Sequence, residues 1–165
     1  MTLLRVANLK FLFLIMAAVF FSSFAEEAPA KFSITYPDGW KVSKLPNGTA
    51  LAIGPDENGM HASISVATIQ VGATPLKDLV EPNLKTMAAS LQNFAKKSDE
   101  ELTIAGQKAR KVDYTFTGDK GKAEQTQYWV VINQNLFFVT CSSAEVNFEK
   151  YKKAFDDSVR TLKAK

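Results

Sequence analysis

The 165-residue sequence predicts an α+β domain, an antiparallel β-sheet with helices packed on both faces, that is, an α/β/α sandwich. Three observations predict it. Short turn signals separate runs in which apolar and polar residues alternate, so consecutive strands form a meander. Two of those runs, 128–132 and 136–141, are apolar on both faces and need cover from each side. Two amphipathic stretches, one after Pro75 and one after Ser142, are there to provide it.

The first 25 residues carry a different signal. Arg5 and Lys10 give a positive start, residues 11–21 form an unbroken apolar run, and Ser22-Ser23-Phe24-Ala25 ends it with small residues at Ser23 and Ala25. The run is shorter than the roughly 20 residues that a membrane-spanning helix needs. This pattern predicts a Sec-type signal peptide cleaved after Ala25 and a periplasmic or secreted protein; an uncleaved N-terminal anchor is the alternative. A lipoprotein is excluded, because the one Cys is Cys141. Removing the segment leaves 140 residues: a polar linker over 26–31 and one domain over 32–165. The formal charge of +3 falls to +1 once Arg5 and Lys10 are gone. So small a charge, with Lys and Glu interspersed, gives no nucleic-acid footprint.

In chain order, Phe32, Ile34 and Tyr36 alternate with polar residues and predict a strand that ends at the Pro37-Asp38-Gly39 turn. Trp40 and Val42 open a second strand. Pro46-Asn47-Gly48 turns into a third at 50–53, residues 54–59 read as a loop, and 61–70 alternates again. Thr74-Pro75 reads as a cap followed by a first-turn proline. Leu76, Val80, Leu84, Met87, Leu91 and Phe94 then mark one long helix, with Pro82 predicting a kink or two abutting helices. A short strand at 102–104 follows, then a strand through Val112, Tyr114 and Phe116, a hairpin turn at 118–121, and the strands 124–132 and 136–141. Ser142 and Glu145 fit a capping box, and Phe148, Tyr151, Phe155, Val159 and Leu162 define the closing helix.

The pieces Phe32-Ser33, Pro37-Asp38-Gly39-Trp40, Gly54-Pro55, Leu136-Phe137-Phe138-Val139-Thr140-Cys141 and the terminal Tyr151, Phe155 and Val159 together resemble the PsbP-like domains. That fold is shared with the Mog-type Ran-binding protein and with bacterial DcrB-related exported proteins. Thr161-Leu162 stands where the family pattern has Ser-Phe. The resemblance covers most of 32–163. It implies an α/β/α sandwich, no common enzymatic activity, and an accessory or binding role, and it transfers no binding residue.

The residues themselves offer little for catalysis. One Cys and one His exclude a disulfide framework, a Cys-rich zinc module and a multi-His centre. His61 has no ligand spacing around it and reads as a surface or edge residue. Cys141 shares a strand face with Phe137 and Val139 and reads as a small buried hydrophobe. Asp56-Glu57 and Asp99-Glu100-Glu101 lack the calcium-loop spacing and read as solvated loops. Gly118-Asp119-Lys120-Gly121-Lys122 lacks the ending of a phosphate loop and is a turn. Asn47-Gly48-Thr49 is a glycosylation sequon only in a eukaryotic host. Most of the 12 Phe, 4 Tyr and 2 Trp fall at inward positions; Trp129 points opposite to Tyr128 and Val130 and is either core or the wall of a groove. No catalytic, cofactor or metal residue is assigned. The sequence thus predicts a non-enzymatic accessory module that binds another envelope or membrane-associated protein. The alternative is a small-ligand or lipid carrier, its pocket lying between sheet and helix and lined by Trp129 and Phe137.

Overall fold

The structure, a computed structural model, describes residues 30–57 and 59–165; the proposed signal segment 1–25 and most of the 26–31 linker lie outside the described residues. In chain order the elements are β1 (Phe32–Ser33), β2 (Lys41–Lys44), β3 (Ala50–Glu57), β4 (Met60–Gln70), α1 (Leu76–Ser90), β5 (Gln92–Ile104), β6 (Gln107–Gly118), β7 (Gly121–Ile132), β8 (Asn135–Ala144), α2 (Phe148–Arg160) and β9 (Lys163–Ala164). Seven strands form one sheet in the order β2-β3-β4-β8-β7-β6-β5, and β1 pairs with β9 in a small second sheet. All neighbouring pairs are antiparallel.

Two meanders, β2–β4 and β5–β8, therefore join where β4 pairs with β8. Four antiparallel steps separate β4 from β5, so these two strands run the same way. Parallel strands need a long crossover, and α1 supplies it by carrying the chain from mid-sheet to the far edge.

Strand alternation then divides the core in two. Tyr128 and Val130 of β7 lie with Phe137, Val139 and Cys141 of β8 beneath Phe148, Tyr151, Phe155 and Val159 of α2. Trp129 and Leu136, with Val112 and Tyr114, lie beneath Leu79, Val80, Leu84 and Met87 of α1. The helices thus cover opposite faces, as the doubly apolar strands predict. β7 is buried without a break from Ala123 to Val130, fitting its interior place.

Several element boundaries differ from expectation. The helix ends at Ser90, not Phe94, although it runs through Pro82 as one helix. Leu91 and Phe94 still pack onto the α1 core, so a strand continues the apolar stripe that periodicity assigns to helix. The expected short strand at 102–104 is the end of the 13-residue β5. Its polar, edge-strand sequence hides it: β6 pairs along its whole length, with register shifts at its start. β3 runs through Gly54 and Pro55 to Glu57 across an irregularity in its pairing with β4, where a loop is predicted. Ser142 does not cap α2. It lies within β8, opposite Ser63 and Gln125, and the cap residue Asn147 makes no side-chain cap bond. Thr74 likewise does not cap α1; its hydroxyl donates to the Val71 carbonyl. Only Phe32 and Ser33 of the first predicted strand pair, and Trp40 precedes β2 and turns inward, edge-on to Tyr151 and Phe155.

Candidate functional site

Residues 30–36 form a strap across the α2 side of the sheet. β1 pairs with β9, the Lys165 amide donates to the Lys31 carbonyl at 2.9 Å, and the Thr35 amide donates to Thr161 Oγ1 at 2.7 Å. Phe32 meets Phe137 edge-on at 6.0 Å between ring centroids. Phe32, Ile34, Tyr36 and Trp40 pack against the core on the α2 side.

Between this strap and the β2–β3 hairpin lies an open groove of about 630 Å³. Phe32, Ile34 and Tyr36 form one wall, and Val42, Ser43, Lys44, Gly48 and Ala50 the other. Lys31, Lys44 and Lys165 line it, and among the described residues no Asp or Glu side chain does. Val42 is 56% exposed, unusual for a large apolar side chain here. The Tyr36 hydroxyl is buried without a hydrogen-bond partner among the described residues, and burial pushes its pKa up to about 12. The groove therefore combines apolar walls with lysine side chains. Among the described residues no His, Cys, Asp or Glu lines it.

The residues singled out from the sequence sit elsewhere and do not converge. Cys141 is fully buried on the α2 face, and burial pushes its thiol well above the usual thiol range. Alternation along β4 puts His61 on the opposite face from Ile64, the strand partner of Cys141, so the two cannot act as nucleophile and base. His61 Nδ1 lies 3.0 Å from the Gly54 carbonyl. Asp56 accepts from the Gly59 amide at 2.7 Å, while Glu57 accepts from Tyr151 at 2.6 Å and pairs with Lys150. The 99–101 cluster is not a loop: it lies in β5, and Asp99 receives Arg110 at 2.5 and 2.7 Å. Residues 118–121 form the β6–β7 turn as expected, and the Asn47 side chain accepts from the Thr49 amide. Among the described residues no cluster of His, Cys, Asp and Glu could hold a metal ion.

Trp129 is core, only 2% exposed, and packs on Phe138 at 4.2 Å between centroids. It lies on the α1 face, whereas Phe137 lies on the α2 face. The predicted carrier pocket lined by both is therefore overturned: the sheet itself separates them. What sequence reasoning missed is the groove. Its lysines and Tyr36 come from both ends of the described chain and from β2. The one signal in the sequence is Lys41-Val42-Ser43-Lys44, a strand that is polar at both ends.

Sheet, opposed helices and strap define an α/β/α sandwich of the PsbP-like kind. The chain belongs to the DcrB family, whose model matches residues 34–161. Its fold is similar to that of PA94, a Pseudomonas aeruginosa protein of unknown function, at 16% identity and a TM-score of 0.64, covering 81% of this chain and 97% of that one. It is also similar to LpqN, involved in cell envelope biogenesis of Mycobacterium tuberculosis, at 12% identity and 0.66, covering 86% and 87%. Cyanobacterial PsbP from Synechocystis sp. PCC 6803 gives 15% identity and 0.60, covering 88% and 99%. No curated protein matches the chain. Among the described residues no helix is long and apolar enough to cross a membrane.

Proposed function

We propose that this protein is an exported, non-enzymatic accessory module, one domain over 32–165, that acts by binding another protein of the cell envelope. The open groove between the strap and β2 carries the reading, because it sets apolar walls and lysines beside an unpaired sheet edge. The signal-like segment at 1–25, membership of the DcrB family and the envelope context of LpqN support the compartment. Cross-linking in the native envelope followed by mass spectrometry tests it. A specific protein partner is expected; a bound metabolite with no protein partner would sink the proposal.

A carrier role survives as a second reading in one form only. The volume of the groove falls within the range of small-molecule sites, so a ligand would sit there and not between sheet and helix. Native mass spectrometry of the purified protein separates the two readings, since a carrier shows a stoichiometric added mass.

A further inference from the structure

We propose that the partner enters the groove as an extended acidic segment, adding a strand to the free edge of β2 with its carboxylates against Lys31 and Lys44. This deepens the accessory-module reading and rests on it.

Three observations carry the recognition mode. First, β2 is hydrogen-bonded to β3 alone, so half of its backbone N–H and C=O groups have no strand partner. All four of its residues are exposed. An incoming strand would satisfy those groups, and such addition supplies affinity through the main chain and selectivity through side-chain pockets. Second, β2 is itself a wall of the groove. Val42 and Lys44 point to the same side of the sheet as Ala52 and Ala50, their partners on β3, and the strap faces them across the gap. An added strand would therefore set alternate side chains between the Ile34–Tyr36 wall and the sheet edge.

Third, the charge chooses the occupant. Lys31 and Lys44 pair with no carboxylate side chain among the described residues, whereas Lys97, Arg110, Lys111 and Lys150 each do. Lysines along an edge repel basic strands and lose hydration against apolar ones, and so guard against self-association. The same lysines attract a strand carrying Asp or Glu, and they do so over roughly a Debye length of about 8 Å at physiological salt. An acidic residue followed two positions later by another would place both carboxylates on the face that Val42 and Lys44 share, with the intervening aliphatic residue on the other face.

The probe is a labelled peptide of about eight residues alternating Glu and Val, a strand's length. Its controls are a Lys–Val peptide and vesicles of phosphatidylcholine with phosphatidylglycerol. With the purified protein, saturable binding of the Glu–Val peptide is expected, weakening as salt is raised. Hydrogen–deuterium exchange should slow at residues 41–44 when the peptide is bound. The double variant Lys31→Glu, Lys44→Glu should bind roughly tenfold or more weakly. Both side chains are exposed, and an unchanged thermal midpoint would show that the variant folds. Equal binding of the Lys–Val peptide overturns the proposal. So does peptide binding without slowed exchange in β2, or binding to anionic vesicles with none to the peptide. A cellular partner that cross-links away from the groove leaves the accessory role standing and removes this mode. Peptide binding at β2 without any cellular protein partner does the reverse.

Discussion

A single missing Cβ decides how the strap closes the core. A methyl group on Gly54 would lie 2.8 Å from two indole carbons of Trp40, too close for any real contact. Trp40 is wedged between that glycine and the rings of Tyr151 and Phe155, which leaves it no room to retreat. Overpacking of this kind costs about 1–3 kcal/mol. Gly54→Ala should therefore lower the urea midpoint by that free energy divided by the slope, the slope itself unchanged. Two glutamines on β7 make an opposite pair. Gln125 links the Tyr114 hydroxyl to Ser142, so Gln125→Leu strands both partners and should cost about 1–3 kcal/mol. Gln127 is 3% exposed, and its Oε1 has no partner among the described residues. Gln127→Leu removes an unsatisfied acceptor, so the same titration should find it neutral or stabilising. A loss as large as that of Gln125→Leu would mean that this oxygen is bonded after all.

At the scale of elements, ion pairs fasten the covers to the sheet. Asp156 of α2 accepts from Tyr128 of β7 and from Lys111 of β6 at 3.0 Å. Arg110 of β6 joins Asp99 of β5 to Glu81 of α1, the latter at 2.9 Å. The Arg110 hydrogen bonds hold the Asp99 carboxyl below its ordinary range against the pull of burial. At Asp156 burial is the largest influence and raises the pKa, yet Tyr128 and Lys111 together outweigh it and the net direction is down. A carboxyl depressed in the folded state stabilises it at pH above the unfolded value, near 3.9 for Asp. That contribution is lost as the pH falls through the lower, folded value. The urea midpoint should therefore be level from neutral pH to about 5 and then drop steeply. Asp99→Asn and Asp156→Asn should each start lower and drop less; parallel curves would count against the assignment.

For the whole molecule, the groove exists because distant parts of the chain meet. The strap at 30–36 and β9 come from opposite ends of the domain, and β2 lies between them in sequence but beside both in space. If the segment 1–25 directs export, the released protein begins at Glu26 and leaves with a soluble envelope or extracellular fraction. N-terminal sequencing of the exported form tests this directly. Retention of Met1 in protein that pellets with membranes would make the segment an anchor and place the groove next to a bilayer.

Local pattern alone determined the class of this protein. Runs apolar on both faces had to lie inside a sheet covered twice, and alternation alone put Trp129 and Tyr128 on opposite sides. The closing helix was equally legible, because Phe148, Tyr151, Phe155 and Val159 repeat at helical spacing and are all buried. Tertiary structure decided the rest. β5 is polar and solvated on much of its surface, so only its hydrogen bonds to β6 make it a strand. Ser142 has a capping residue's chemistry, but a place in the β8 ladder satisfies its backbone first. The groove left no periodic signal either. Its lysines are ordinary surface residues in the sequence and become a site only when folding sets them around one unpaired edge. Periodicity reports which side of an element meets the core; it carries no information about which distant segments share a surface.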